Sequence, residues 1–215
     1  MRKTTLLLFS SLLIFISCGS NSSNNRKSGE TLYEEQVKSA FTNAESVKYE
    51  DTTFFLGFHM GMTAKQVNAH CAELASSGKL YKSDRTYKYN IKDSVSEKID
   101  FQTELQFEYF NNELFKLSLH YTGKNSKGQS YINGVGILFS VEFSQSWGKI
   151  LEAQSYKKYI KKDAFGDYQY YFIKGNIIVS GNDSNYVFTD AYRDNLREQS
   201  YRTSVATDLA NDFNL

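Results

Sequence analysis

Residues Ile99 to Tyr121 read IDFQTELQFEYFNNELFKLSLHY. Ile99, Phe101, Leu105, Phe107 and Tyr109 occupy alternate positions, and after Asn111-Asn112 the alternation resumes at Phe115, Leu117, Leu119 and Tyr121. A period of two sends these side chains to one face of an extended chain. Asparagine tolerates the positive φ that a tight hairpin demands, so the stretch predicts two antiparallel strands joined at Asn111-Asn112 with one face buried. Tyr87, Tyr89 and Ile91 alternate in the same way just upstream and add a further strand.

Working toward the N terminus, the period changes to that of helices. Thr63-Ala64-Lys65-Gln66 has the spacing of a capping box, with Val67, Cys71 and Leu74 on one face and Gly78 as the stop. Thr31 to Glu34 has a similar spacing, followed by Val37, Phe41 and Ala44 on one face. Between the two helices, TTFFLGFHMG is rich in strand formers, with Gly57 and Gly61 free to turn.

Working toward the C terminus, residues 122 to 134 are polar and carry glycines, the composition of a linker. The order of elements is then expected to repeat. Ile137, Leu138, Val141, Ile150 and Leu151 suit a helix ending near Trp147-Gly148 or a turn beyond. Strand-like runs follow at Tyr156 to Lys161, Tyr168 to Phe172, Ile177 to Val179 and Tyr186 to Phe188. Tyr201, Val205, Leu209 and Phe213 stand four residues apart in a closing helix over Tyr192 to Phe213. The expected fold is α+β: two related halves, 31–122 and 135–215, each a helix followed by an antiparallel meander, joined by 123–134.

The front of the chain has a different character. Arg2 and Lys3 precede Leu6 to Ile16, an apolar run that at about 1.5 Å per residue covers only half of a ~30 Å hydrocarbon core. This is the pattern of a secretory signal peptide. Phe15-Ile16-Ser17-Cys18 resembles the lipobox of bacterial lipoproteins. The resemblance implies cleavage after residue 17 and acylation of Cys18, hence a lipid-anchored protein of the cell envelope, expected at the outer membrane. Residues 18–30 read as a tether without apolar side chains, and its eleven residues from Gly19 to Gly29 reach roughly 18 Å.

Composition narrows the function classes. Loss of Arg2 and Lys3 with the signal lowers 25 basic residues to 23, against 24 acidic ones, so no nucleic-acid partner is expected. Once Cys18 is acylated only Cys71 remains, and no intramolecular disulfide can form.

The stretch GMTAKQV, Gly61 to Val67, resembles the start of the BamE/SmpA-type small outer-membrane lipoproteins, and FNNEL (Phe110 to Leu114) matches a hairpin common in such units. The β-lactamase-inhibitor-protein fold uses the same helix-then-sheet unit twice. GNIIVS and YVFTDAY resemble the closing strands of Bacteroidota lipoproteins of this layout. The resemblance implies a tandem helix-plus-sheet body.

No residues form a catalytic or metal-binding set at a recognisable spacing, and no cofactor is implied. His70 and Cys71 adjoin, but neighbours on a helix do not face each other, and Cys71 lies on the apolar stripe. His59 and His120 lack ligand partners at metal-site spacing. The sharpest local feature is YKKYIKKDAFGDYQYYF. There Tyr156, Lys158, Tyr159, Lys161, Tyr168 and Tyr170 are the candidate binding face for a glycan, a phosphate-bearing lipid or an acidic partner. The plainer reading is a strand pair with buried rings and solvated lysines that blunt an edge, and Asp163 and Asp167 read as turn residues. Three functions are thus expected in descending order: a non-enzymatic protein-binding or scaffolding lipoprotein docking an envelope protein, a glycan-binding surface lipoprotein, and an envelope hydrolase.

Overall fold

The computed structural model describes residues 29–50, 52–92, 100–125, 127–130, 147–162, 168–182 and 185–212. The signal peptide, Cys18 and the tether to residue 28 lie outside them, as do Ile99, Ile137, Leu138, Val141, Asp163, Asp167 and Phe213. The class is α+β. The described strands are β1 (Tyr81–Ser83), β2 (Thr86–Lys92), β3 (Asp100–Phe110), β4 (Glu113–Tyr121), β5 (Lys157–Lys162), β6 (Tyr168–Lys174), β7 (Ile177–Gly181) and β8 (Asn185–Asp190). The helices are α1 (Gly29–Ser46), α2 (Ala64–Ser76), α3 (Gly148–Ala153) and α4 (Ala191–Asp212). All eight strands form one antiparallel sheet in the order β1-β2-β3-β4-β8-β7-β6-β5.

The β3–β4 hairpin turns at Asn111 and Asn112, whose φ values of 50° and 62° are those a two-residue turn needs. Leu105 pairs with Leu119 and Phe107 with Leu117, but the register shifts between Glu108 and Tyr109. Glu108 then faces Lys116 while Tyr109 faces Leu114, so Phe115 is an extra residue. The bulge reverses the expected parity: Leu114 joins Leu117 and Leu119 in the main core, and Phe115 is instead covered by the Arg197 guanidinium of α4, 5.3 Å from its ring.

One sheet face carries the main core. Ile91, Phe101, Leu105, Leu117 and Leu119 come from β2 to β4, and Phe172, Val179, Tyr186 and Phe188 from β6 to β8. Val67, Cys71 and Leu74 of α2 close over it, together with Phe54, Phe58, Trp147 and Leu151. The α2 capping box is complete: Gln66 N–H donates to the Thr63 hydroxyl, and Thr63 N–H to the Gln66 side chain. Gly78 follows at φ +73° and ends the helix.

On the opposite face, Ala44 and Phe41 of α1 and Ala191 of α4 pack on Ile173, Ile178 and Tyr159 of the β5–β8 end. Asp190 starts α4 by accepting Arg193 N–H at 3.1 Å. The Arg193 side chain turns back to the Asp190 carboxylate and reaches Glu113 of β4 at 2.7 Å. Burial works against the charged guanidinium, but its bonds to Glu113 and Asp190 outweigh burial and hold its pKa above the usual value. The same group lies against Gly61, where a Cβ would stand 2.6 Å from Arg193 Nη2. Gly61 N–H donates to Leu114 C=O, and Leu114 N–H to Met62 C=O, both at 2.8 Å. This knot ties the approach to α2, the start of β4 and the start of α4.

Two expectations are corrected. Helix α1 begins at Gly29, so Thr31 lies inside its first turn rather than capping it, and the ordered body starts before residue 31. The closing helix is present as α4, in which Tyr201 is 67% exposed and Val205 is 38% exposed. Ala191 and Arg193 are buried and hold the first turn of this helix down. Finally, the region expected as a linker continues the fold where it is described. Thr122 N–H donates to Gln102 C=O, Gln102 N–H donates to Lys124 C=O, and Lys124 bridges Ser130 around an Asn125-based turn.

Candidate functional site

Strand β5 is one edge of the sheet, and α1 lies along it. Tyr33, Val37 and Phe41, each four residues apart, form the apolar side of α1 that meets the edge. The outward N–H of Ile160 donates to the Tyr33 hydroxyl at 2.6 Å, so a helix side chain takes an edge amide that would otherwise invite a further strand. Phe41 meets Tyr171 edge-on, with centroids 5.1 Å apart, and fixes the helix over β6.

Between α1 and the edge runs an open groove of about 730 Å³. Its floor is Tyr33, Val37, Phe41, Ile160 and Tyr168; Tyr168 is 65% exposed. Its rim on the helix is Glu34, Lys38, Thr42 and Glu45, and on the strand Lys161 and Lys162. The Lys161 ammonium stands 5.2 Å from the Phe41 ring centre and that of Lys162 stands 5.3 Å from that of Tyr168. Among the described residues Lys38, Lys161 and Lys162 enter no ion pair.

The residues expected to form one binding face are distributed over three environments. Tyr156 is 4% exposed and belongs to the main core. Lys158 pairs with Phe172 across the strands and covers Tyr170 at 4.5 Å on the main-core side. Tyr159 and Lys161 point to the opposite face, under α1. Tyr168 lines the groove and is exposed. Alternation on β5 splits the set, because adjacent strand residues point to opposite faces. Only Lys161 and Tyr168 are brought to the groove, where they meet α1 residues that no local pattern linked to them. Val37 and Phe41 were legible as part of a helical stripe, but what that stripe would face was not.

The histidines and Cys71 serve the fold. His70 Nε2 lies 2.9 Å from Leu56 C=O, and His120 Nδ1 lies 2.7 Å from Asn185 Oδ1 across the β4–β8 seam. His59 Nδ1 lies 2.8 Å from the Thr53 hydroxyl. Cys71 is fully buried, and burial pushes its thiol up to about 12. Cys71→Ala is expected to cost roughly 1–2 kcal/mol, and Cys71→Ser at least as much. Thiol reagents at neutral pH should modify Cys71 slowly in the native protein and rapidly in urea. Fast native labelling would contradict its burial. Ionisation also links to stability: an unfolded chain loses this proton at lower pH than the folded one, so the contribution is intact below the ordinary thiol pKa and is lost as pH rises toward 12.

Comparison with known protein families, with curated proteins and with solved structures yields no match to this chain.

Proposed function

We propose that the chain is an exported bacterial lipoprotein, anchored through acylated Cys18 at the outer membrane, whose body is a non-enzymatic protein-binding module of the cell envelope. The observation that carries the docking role is the polar face of β2 to β4, opposite the main core. Lys88, Glu104 and His120 form one cross-strand row, Asn90 stands opposite Gln102, and Gln106 opposite Ser118. Gln106 is exposed and the others are half-buried, and the rows alternate in charge and hydrogen-bonding character, which suits a protein surface better than a small molecule. The strand order supports a reading of two related halves in the manner of BamE-like and β-lactamase-inhibitor-protein-like units. Strands β1 to β4 and β5 to β8 are each consecutive meanders, with α2 and α3 ahead of them, and their last strands meet at the centre.

The non-enzymatic reading is supported by where the ionisable groups lie. Glu34 and Glu45 share the groove, but eleven residues of one helix separate them by about 16 Å, beyond the ~5–9.5 Å of a glycosidase pair. The described aromatic residues of β5 and β6 divide between the two sheet faces, so the tyrosine-strand version of the glycan reading loses its contiguous platform.

Two experiments test the proposal. Cys18→Ser should abolish acyl labelling and leave the signal uncleaved by the lipoprotein peptidase; retention of the wild-type acyl mass would refute the anchor. Affinity capture of the native lipoprotein from membranes should retain an envelope protein that is lost from Glu104→Arg protein of unchanged melting temperature. An identical retained set would refute docking on this face.

A further inference from the structure

We propose that the groove between α1 and β5 binds an acidic saccharide, independently of any protein docked on the face of β2 to β4. The argument is chemical complementarity. Along α1, Tyr33, Val37 and Phe41 present rings and an aliphatic side chain to the floor, while Glu34, Lys38, Thr42 and Glu45 follow at the neighbouring helical positions and form the rim. Tyr168 adds a half-open ring from the strand side, 65% exposed and therefore not spent on the core. Two ammonium groups, on Lys161 and Lys162, rest on rings of this same groove, and neither has a carboxylate partner among the described residues.

The rim therefore offers both signs of polar chemistry at once. The lysines call for an anion, and Glu34, Glu45 and the Thr42 hydroxyl accept hydrogen bonds from donors. A sugar acid answers all of it: its C–H face lies on the rings, its carboxylate meets the lysines, and its hydroxyls donate to the glutamates. An anionic amphiphile would satisfy the lysines and the floor but would bring no donors to the two carboxylates, which would lose water without compensation. An extended peptide would want the edge backbone, and the Tyr33 hydroxyl already takes the central Ile160 amide. At about 730 Å³ the groove falls within the ~300–1,000 Å³ typical of small-ligand sites and suits two or three sugar rings.

The test uses the mature full-length chain in nanodiscs of zwitterionic phospholipid, titrated calorimetrically with trimers of galacturonate, mannuronate and glucuronate and with maltotriose as the neutral control. At least one uronate trimer should bind ten-fold or more tightly than maltotriose, with affinity falling as salt is raised. Lys161→Gln with Lys162→Gln, and separately the exposed Tyr168→Ala, should each weaken that binding about ten-fold while the urea midpoint stays unchanged. Glu104→Arg should leave it intact, which separates this site from the proposed protein-docking face. The proposal is overturned if no uronate trimer binds, if maltotriose binds equally, or if the lysine variants bind as the wild type does. It is also overturned if anionic phospholipid vesicles displace the trimer from wild-type protein, an outcome that would assign the groove to lipid.

Discussion

Arg193→Ala is expected to destabilise the protein by about 3–5 kcal/mol, because it removes one member of a buried ion pair and strands the other. Asp190 is fully buried, and its carboxylate serves at once the α4 N-terminus, the Asn176 amide and the Arg193 guanidinium. Without the cation that carboxylate stays in a poorly solvating interior and the Gly61 backbone loses its lid. Adding Asp190→Asn should recover a measurable part of the loss, since a neutral Asn still caps a helix and leaves no unpaired charge. Urea unfolding of the wild type, both single variants and the double variant gives the cycle. A loss below about 1 kcal/mol for Arg193→Ala would mean that the knot is solvated and contributes little.

Phe188→Ala should cost a comparable amount, about 3–5 kcal/mol. Phe188 is 1% exposed, and its ring meets those of Phe54 at 5.3 Å, Phe55 at 5.6 Å and Trp147 at 6.0 Å. It thus joins the central strand β8 to the 54–58 turn and to the entry of α3. Phe188→Leu keeps most of the volume and should cost only about 1–2 kcal/mol. Both are read from urea midpoints, with Trp147 fluorescence as the local probe. Equal losses for Ala and Leu would show that ring geometry rather than volume governs this cluster.

Local patterns made the strands and α2 legible. The Asn111-Asn112 turn, the Thr63 capping box and the runs that became β5 to β8 each depend on residues within a few positions of one another. What was not legible is non-local. Nothing in Ser118 or Val187 marks them as partners across the β4–β8 seam, and nothing in the α1 stripe says that it will lie over β5 and β6. The Glu108/Tyr109 bulge was hidden for another reason: one inserted residue shifts parity without interrupting the apolar run, so strict alternation placed Phe115 with Leu117. Arg193 did leave a signal that periodicity overlooked. A cation in the first turn of a helix opposes the helix dipole, so it needs carboxylates of its own, and Asp190 stands three residues before it.

The seam between β4 and β8 also governs when the molecule can finish folding. A chain delivered N terminus first, by the ribosome or through an export channel, can form the β3–β4 hairpin early. The middle of its sheet stays open until Asn185–Asp190 has emerged, and α1 waits longer still for the α4 residues against which it packs, including Asn195, whose amide donates to Glu45 C=O. Pairings this distant carry a large loop-closure cost and place folding in the slower, roughly millisecond-to-second regime. Until then β4 and β7 are both unpaired edges of apolar strands, able to capture a neighbouring chain, so a holding chaperone would act on this central gap. The order of events runs from the rims inward, and the last six strand residues to arrive close the whole sheet.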